Sequence, residues 1–353
     1  MALKDTLTNA YSAWMGAGPE DDVAVSSRVR LARALAHFPF PHRLRREKAE
    51  EVIHAVALAV RQPEVVRKVG RLELVRMTEL SPIERQILVE KHLISPELTR
   101  EAEKRAVVLS EDETTSIMVN EEDHLRIQCL LPGLQLEETW QVADTVDTAL
   151  QSVLAFAASE KLGFLTACPT NVGTGLRASV MLHLPALAMA QQIKETLTAV
   201  AKLGLVVRGL YGEGTEAKGN FFQISNQITL GQTEDEIIAN LVSVTRRVIA
   251  QERTARQALY RERREMLEDR VCRAYGALRH ARMISSEEAL RLLSDVRLGI
   301  DLGVIQGVPR RVLTELMIMT RPAFLVKLAG KDLPPFPRDV YRAQLIREKL
   351  KQF

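Results

Sequence analysis

Five arginines on short strand-like segments have the clearest chemical potential in this sequence. They are Arg28, Arg30, Arg126, Arg177 and Arg208. A guanidinium binds phosphate oxygens through two parallel hydrogen bonds and does not lose its charge at physiological pH. A cluster of these side chains could neutralise a triphosphate and the charge that develops on a transferred phosphoryl group. Taken singly, each would also be accounted for as a solvated side chain on the polar face of a sheet.

A run of three carboxylates, Glu121-Glu122-Asp123, precedes the strand-like segment that carries Arg126. The run is compatible with a solvated turn. A carboxylate beside a phosphate-binding arginine can instead attract a guanidinium, orient one of its nitrogens and accept a proton as a P–N bond forms. The residues therefore indicate phosphoryl transfer to a cationic nucleophile, with the solvated turn as the alternative.

The common nucleotide-binding loops are not found. The sequence has no G-x-x-x-x-G-K-[ST] motif, and the Gly-rich stretch CPTNVGTG contains no Lys. The spacing of Gly173, Gly175 and Ala178 resembles a dinucleotide fingerprint, but a β-type run follows it where that motif requires a helix. The pattern argues against a P-loop kinase and against a Rossmann dehydrogenase.

The elements that must position these side chains change in character near residue 233. Before it, alternating runs such as HLRIQCLL and RASVMLHL predict short strands between helices. After it, Thr233 and Glu236 fit a capping box, and long charged helical segments follow without a strand signal. We therefore expect an α+β body followed by an all-helical region.

Charge and composition exclude several classes of protein. The chain has 35 Arg but 13 Lys, and residues 1–240 carry a net charge of −7 while residues 241–353 carry +10. Three cysteines are too few for a disulfide framework or a zinc site. With no apolar run of ~18 residues and no signal peptide, we expect a cytoplasmic protein without a membrane span. The basic helices leave a nucleic-acid-binding module open, although their charges mix both signs.

The segments SSRVRLAR, NEEDHLR, CPTNVGTGLRASV and RGLYGEGTEAKGNFFQISN, in that order, resemble the phosphagen (guanidino) kinase family. The resemblance implies a catalytic domain over residues 1–250, with an antiparallel sheet flanked by helices in a glutamine-synthetase-like fold. An all-α domain for regulation and dimerisation would follow over residues 251–353. The first motif begins at Ser26, so we expect no N-terminal helical domain of the size found in small-molecule members. Together with the ending RDVYRA, this layout is similar to the branch that phosphorylates arginine in proteins.

The resemblance also implies a nucleotide site. Its residues would be Ser26, Ser27, Arg28, Val29, Arg30, His92, Arg126, Arg177, Ala178, Ser179, Val180, Met181, Arg208, Gly209, Leu210, Tyr211, Gly212 and Glu213. Read alone, His92 is an ordinary surface residue on a helix. Glu121 would hold and deprotonate the acceptor guanidinium, with Glu213 as its second carboxylate in a Gly-flanked segment able to close. Arg126, Arg177 and Arg208 complete the expected catalytic set. ATP and Mg²⁺ are implied, but no side chain is singled out as a direct metal ligand.

Two further sites are implied by the resemblance. Cys168 occupies the position of the family's reactive cysteine, and a small residue before the turn at Pro169 is the equal alternative. The segment Arg338-Asp339-Val340-Tyr341-Arg342-Ala343 would form an allosteric phosphoarginine pocket. Arg338 and Arg342 share a helix face there, and Asp339 could pair with the ligand's guanidinium. A charged terminal helix with no ligand is the alternative.

The predicted function is transfer of the γ-phosphoryl group of ATP to arginine side chains of proteins. An acidic body suits capture of cationic acceptors. The resemblance further implies a homodimer, a zinc-containing activator protein, a transcriptional repressor as substrate and delivery of marked proteins to a Clp-type ATPase and protease. It implies no direct nucleic-acid partner. A kinase for free arginine or another small guanidino compound is the alternative.

Overall fold

The computed structural model describes residues 3–209 and 217–353. The strands in this part of the chain are β1 (Ala24–Arg33), β2 (Leu72–Arg76), β3 (Ala106–Ser110), β4 (Thr115–Val119), β5 (Leu125–Pro132), β6 (Ala158–Ser159), β7 (Gly163–Phe164), β8 (Leu176–His183), β9 (Leu205–Gly209) and β10 (Phe221–Asn226). The α-helices before residue 210 are α1 (Leu3–Thr8), α2 (Arg46–Ala59), α3 (Pro63–Val69), α4 (Pro82–Glu90), α5 (Leu136–Gln151), α6 (Pro185–Met189) and α7 (Ile193–Lys202). Those after it are α8 (Glu234–Glu262), α9 (Arg264–His280), α10 (Ser286–Asp301), α11 (Arg310–Met319), α12 (Pro322–Ala329) and α13 (Pro335–Leu350).

Eight of these strands form one antiparallel sheet in the order β2-β3-β4-β5-β1-β8-β10-β9. The two long central strands, β1 and β8, alternate as the sequence predicts. Val29 and Leu31 on β1 and Ala178 and Val180 on β8 are fully buried on one face. This face packs against α2, α5 and α8 in a continuous apolar core. Because strand side chains alternate, the polar residues between them must point to the opposite face.

The opposite face is partly covered by the helices after residue 262. Leu130, Met181 and Phe221 of the sheet belong to a second core that includes Val271 and Leu293 of α9 and α10. The C-terminal helices therefore cover the part of the polar face that carries these three residues. The strand arginines lie beside this covered part.

Buried charges join the helical region to the start of β1. Arg256 of α8 donates to Glu252 at 2.8 Å and to Asp301 of α10 at 3.2 Å. A further guanidinium, that of Arg297, donates to the backbone oxygen of Asp21 at 2.6 Å. Buried ion pairs require matched partners because an unpaired ion is costly in a nonpolar environment. These contacts therefore hold the two parts of the chain in one relative position.

The α+β fold followed by helices is thus confirmed, as is the Thr233–Glu236 capping box. The expected boundary at residues 250/251 falls inside α8, which runs through it for 29 residues. The division into 1–250 and 251–353 stays a prediction. Throughout the described ranges, the helices are too short or too polar to span a lipid bilayer.

Candidate active site

Two neighbouring strands bring arginines to the polar face of the sheet. Arg28 on β1 lies opposite Ser179 on β8, and Arg30 lies opposite Arg177. Directly opposed residues of antiparallel strands point to the same face. Arg28 donates through Nε to the Ser179 hydroxyl at 3.3 Å. The register therefore places three guanidinium groups side by side.

The outer strands add two more arginines to this face. Arg126 on β5 lies opposite Ala32, which has the same orientation on β1 as Arg28. Exposed Arg208 on β9 lies opposite Gln223 of β10, whose Oε1 accepts a hydrogen bond from Nη2 of Arg28 at 2.7 Å. All five arginines selected from the sequence therefore lie on one surface.

A cavity of about 300 Å³ lies over the β1 end of this surface. It is lined by Arg28, Arg30, Gln86, Val89, Glu90, His92, Ile94, Ser95, Pro96, Met118, Gln128 and Arg321. Burial and the nearby Arg126 lower the pKa of Arg28 to about 10. Burial and the charges of Arg28 and Arg126 also hold the pKa of Arg30 well below its usual value. A polyanion in the cavity would relieve this repulsion.

Arg30 has a hydrogen-bond donor that such a ligand could use. Its Nε is buried and makes no hydrogen bond to any residue that the structure describes. A buried donor without an acceptor is costly, and phosphate oxygens are good acceptors for guanidinium groups. The residues of this surface therefore fit the polyphosphate of a nucleotide.

His92 lines the same cavity and a smaller adjacent one with Trp14, Ser26 and Met181. It lies in the turn after α4, with φ of 62°, and its ring packs edge-on against Trp14 at 5.6 Å. Burial, with Arg28 and Arg321 nearby, lowers the pKa of His92 to about 3. The ring is therefore neutral at pH 7, which suits contact with an uncharged base. A surface position on a helix, expected from His92 alone, is not what the structure shows.

Glu121 is buried next to the arginine surface. Nη1 of Arg126 lies 2.9 Å from Oε1 and 2.7 Å from Oε2 of Glu121, and the Ser95 hydroxyl also donates to Oε1. Burial opposes ionisation of Glu121, but the charge of Arg126 and these hydrogen bonds outweigh it and lower the pKa. Glu121 is therefore an anion at neutral pH, as a proton acceptor must be.

Glu121 lines a second cavity, of about 510 Å³. Glu97, Glu101, Glu121 and Glu122 contribute four carboxylates to its lining, against the cations of Lys104 and Arg105 and the ring of His42. Ser95 lines the first cavity and bonds Glu121 in the second. The Ser95–Glu121 hydrogen bond therefore links the linings of the two cavities, one suited to an anion and the other to a cation. Sequence reasoning missed Ser95, Glu97 and Glu101, although all three closely follow His92 in the chain.

The third carboxylate of the run, that of Asp123, lies in the protein interior. Asp123 is 2% exposed and accepts a hydrogen bond from the backbone N–H of Ala167 at 2.7 Å. Burial, together with nearby Glu122, raises the pKa of Asp123 to about 6. This contact ties the carboxylate run to the segment that carries Cys168.

The guanidinium group of Arg177 is fixed by hydrogen bonds to neighbouring residues. It donates to Oδ1 of Asn171 at 3.0 Å and to the backbone oxygens of Thr170, Asn226 and Gln227. Cys168 is partly exposed, and its Sγ lies 3.1 Å from the hydroxyl of Thr170. Burial lowers the pKa of Arg177. Cys168 and Arg177 both contact Thr170, the first through its hydroxyl and the second through its backbone oxygen. Cys129, by contrast, is fully buried, and burial raises its pKa to about 12.

Some expected nucleotide residues are placed differently. The side chains of Val29, Ala178 and Val180 lie in the core on the far face of the sheet, so only their backbone could contact a ligand. Ser27 donates to the backbone oxygen of Gly133 at 2.9 Å and accepts from the backbone N–H of residue 135. Gly209 ends β9, whereas Leu210, Tyr211, Gly212 and Glu213 lie outside the described residues.

The RDVYRA segment lies on α13, so Arg338 and Arg342 share one helix face as expected. Arg342 is 1% exposed and donates to the backbone oxygens of Thr320 at 2.9 Å and Ile284 at 2.8 Å, and to Asp339. Most of its donors are therefore used within the chain. Val340 is exposed, Tyr341 and Arg338 are half-buried and Ala343 is in the core.

Comparison with known proteins agrees with this geometry. Residues 51–255 match the family described as ATP:guanido phosphotransferase, C-terminal catalytic domain, and residues 264–353 match the protein-arginine kinase McsB C-terminal domain. The chain is 60% identical over 350 residues to a protein-arginine kinase of Pelotomaculum thermopropionicum, covering 99% of this chain and 98% of that one. It is 61% identical over 351 residues to the enzyme of the same name in Desulforamulus reducens, with the same coverage.

Solved structures share the fold. Lombricine kinase aligns with a TM-score of 0.59 at 22% identity, over 67% of this chain and 68% of that chain. The duplicated taurocyamine kinase of Schistosoma mansoni aligns with a TM-score of 0.59 at 27% identity, over 69% of this chain and 35% of that chain. The fold and the arginine surface beside a buried carboxylate define a guanidino phosphotransferase. Over its whole length, this chain belongs to the protein-arginine kinase family of these enzymes. The expected family and fold are thereby confirmed.

Proposed function

We propose that the chain transfers the γ-phosphoryl group of ATP to the guanidinium group of arginine side chains in proteins. The observation that carries the proposal is the position of Glu121. Its ionised carboxylate lines the carboxylate-lined cavity and accepts a hydrogen bond from Ser95, which lines the arginine-lined cavity. The arginine-lined cavity would bind the triphosphate, and the carboxylate-lined cavity would bind the cationic acceptor, because opposite charges attract most strongly where water is excluded.

The reaction divides among these residues as follows. A nitrogen of the acceptor guanidinium attacks the γ-phosphorus, forming the P–N bond as the bond to the β,γ-bridging oxygen breaks and ADP leaves. Glu121 orients that nitrogen and takes its proton. Arg28, Arg30 and Arg126 stabilise the negative charge on the phosphoryl oxygens. Glu213 would be a second carboxylate for the acceptor and lies outside the described residues.

Mg²⁺ is the metal proposed for this site. In kinases it binds phosphate oxygens with one or two carboxylates, and it neutralises the charge that develops on the transferred group. Residues 3–209 and 217–353 contain no cluster of three or more His, Cys, Asp or Glu side chains able to hold a metal ion. Among the residues that line the carboxylate-lined cavity, Glu122 could supply a carboxylate oxygen.

The finer aspects of the function rest on the family resemblance. We propose a cytoplasmic homodimer that responds to phosphoarginine at Arg338 and Arg342, works with a zinc-containing activator, inactivates a transcriptional repressor and marks proteins for a Clp-type ATPase and protease. We also propose a reactive role for Cys168, whose partly exposed thiol lies 3.1 Å from the hydroxyl of Thr170, a residue that Arg177 contacts.

A kinase for free arginine is the second candidate, because the site recognises a guanidinium group whatever carries it. Whole-chain similarity to protein-arginine kinases favours a protein acceptor. The test supplies labelled ATP, Mg²⁺ and either an unfolded arginine-rich protein or free arginine. We expect label on the protein that is lost in acid, as a P–N bond should be, and much slower turnover of the amino acid. Faster turnover of free arginine would favour the second candidate, and acid-stable label would refute N-phosphorylation.

A further inference from the structure

One wall of the arginine-lined cavity is formed by the C-terminal helical region. Arg28, Arg30 and His92 belong to the sheet and the turn after α4, whereas Arg321 precedes α12. The four residues line one cavity of about 300 Å³, which is within the size range of small-molecule sites. The cavity is therefore completed by residues from both parts of the chain.

The charge in this cavity is unbalanced. Its lining includes three guanidinium groups, from Arg28, Arg30 and Arg321, against the single carboxylate of Glu90. The two oxygens of Glu90 accept the backbone N–H groups of Ala323 and Phe324, each at 3.0 Å. Three guanidinium groups and one carboxylate thus line the cavity, which gives its lining an excess of positive charge. Such a space favours a ligand with several negative charges.

Glu90 also determines where Arg321 lies. It ends α4, is 5% exposed, and caps the first turn of α12 through the two hydrogen bonds just described. A carboxylate at a helix N-terminus is stabilised by the exposed N–H groups and by the helix dipole. The side chain of Lys327 on α12 adds an ion pair with Glu84 of α4 at 2.8 Å. The α4–α12 contact therefore holds Arg321 at the cavity wall.

We propose that Arg321 is a nucleotide-binding residue, which donates hydrogen bonds to the polyphosphate of ATP alongside Arg28 and Arg30. The C-terminal helices thereby complete the donor-nucleotide site, and Glu90 is the positioning residue that keeps Arg321 in place. This inference rests on the proposed use of the cavity for ATP. It adds a phosphate contact that comes from outside the sheet.

The test measures binding of ATP and adenosine to the full chain without an acceptor protein. Arg321→Gln should weaken ATP binding about 10- to 100-fold, the usual effect of losing a charged hydrogen bond. Adenosine binding should change less than about threefold, because adenosine has no phosphate. Arg321→Lys, which keeps the charge, should recover part of the ATP affinity. Arg311→Gln, an exposed change on α11, is the matched control and should bind ATP normally.

Melting temperatures without ligand separate binding from folding. If Arg321→Gln lowers the melting temperature, Arg321→Met, which retains the apolar stem, is measured in the same way. Unchanged ATP affinity in the folded variant would overturn the inference, and so would an equal loss for ATP and adenosine. Because no acceptor is present, this result is independent of arginine phosphorylation. A chain that binds ATP through Arg321 but phosphorylates no arginine would refute the proposed function alone.

Discussion

Nη1 of Arg126 lies 2.7 Å from Oε2 and 2.9 Å from Oε1 of Glu121, so one guanidinium nitrogen contacts both oxygens of the proposed base. An acceptor arginine would present the same chemical group to the same carboxylate. Arg126 thus keeps Glu121 ionised and aligned, and it links the proposed base directly to the arginine surface.

Glu121→Gln tests the assignment of the base. The amide has nearly the same shape but cannot accept the proton, so we expect kcat to fall about 10²- to 10⁴-fold. The KM for ATP should remain within about threefold, because Glu121 is not part of the arginine-lined cavity. The measurement is the rate of acid-labile labelling of a protein acceptor. Glu103→Gln, an exposed change nearby, should retain full activity. A normal rate in Glu121→Gln would remove Glu121 from the mechanism.

Ser95→Ala tests whether the hydroxyl positions that base. Losing a hydrogen bond to a charged group should lower kcat roughly 10-fold or more, with little change in the KM for ATP. The hydrogen bond lowers the pKa of Glu121, so its removal should move the acidic limb of the pH–rate profile to higher pH. Ser95→Thr should restore both. Thr99→Ala, which removes a nearby hydroxyl bonded to the backbone of Pro96, is the control. An unshifted pH profile in Ser95→Ala would contradict this role.

Asp123→Asn tests the buried carboxylate next to Glu121. Its pKa rises from an ordinary 3.8 to about 6 on folding, so the folded chain binds this proton more tightly than the unfolded chain. The resulting stability is fully present below about pH 4 and is lost as the pH rises through 6. About two pKa units correspond to roughly 3 kcal/mol. Urea unfolding from pH 4 to 7 should show a fall in stability for the parent that is smaller in Asp123→Asn. Exposed Asp332→Asn should keep the parental slope, and an identical slope in Asp123→Asn would rule out this titration.

Arg342→Ala should destabilise the fold irrespective of any ligand. The side chain is 1% exposed and donates to two backbone oxygens and to Asp339. Leaving a buried backbone oxygen without its donor costs about 1–3 kcal/mol, so the urea midpoint should fall clearly, while exposed Arg311→Ala should not shift it. A parental midpoint would show that these contacts contribute little. Half-buried Arg338 is therefore the better position at which to test phosphoarginine binding.

Much of the fold was predictable because it depends on local patterns. Alternation in SSRVRLAR and RASVMLHL assigned β1 and β8 and put Arg28 and Arg30 on one face. The capping box at Thr233 located the start of α8, and the change from strands to helices near residue 233 was correct. The alternation of side chains along a strand and the capping residues at the end of a helix each involve only a few consecutive residues. Both can therefore be recognised in the sequence.

The arrangement of the site was decided only by tertiary structure. Alternation predicts which face of a strand a side chain lies on, but not which strand pairs with it. That Arg30 lies opposite Arg177 is therefore decided by the register between β1 and β8. The charge of Arg126 and the hydrogen bonds from Arg126 and Ser95 keep Glu121 an anion despite its burial, and no local signal marked Ser95. Arg321 reaches the arginine-lined cavity because α12 packs on Glu90 of α4. The sequence by itself determined which residues could bind phosphate and guanidinium groups. Their distances and charge states depend on packing between segments far apart in the chain, which local periodicity does not encode.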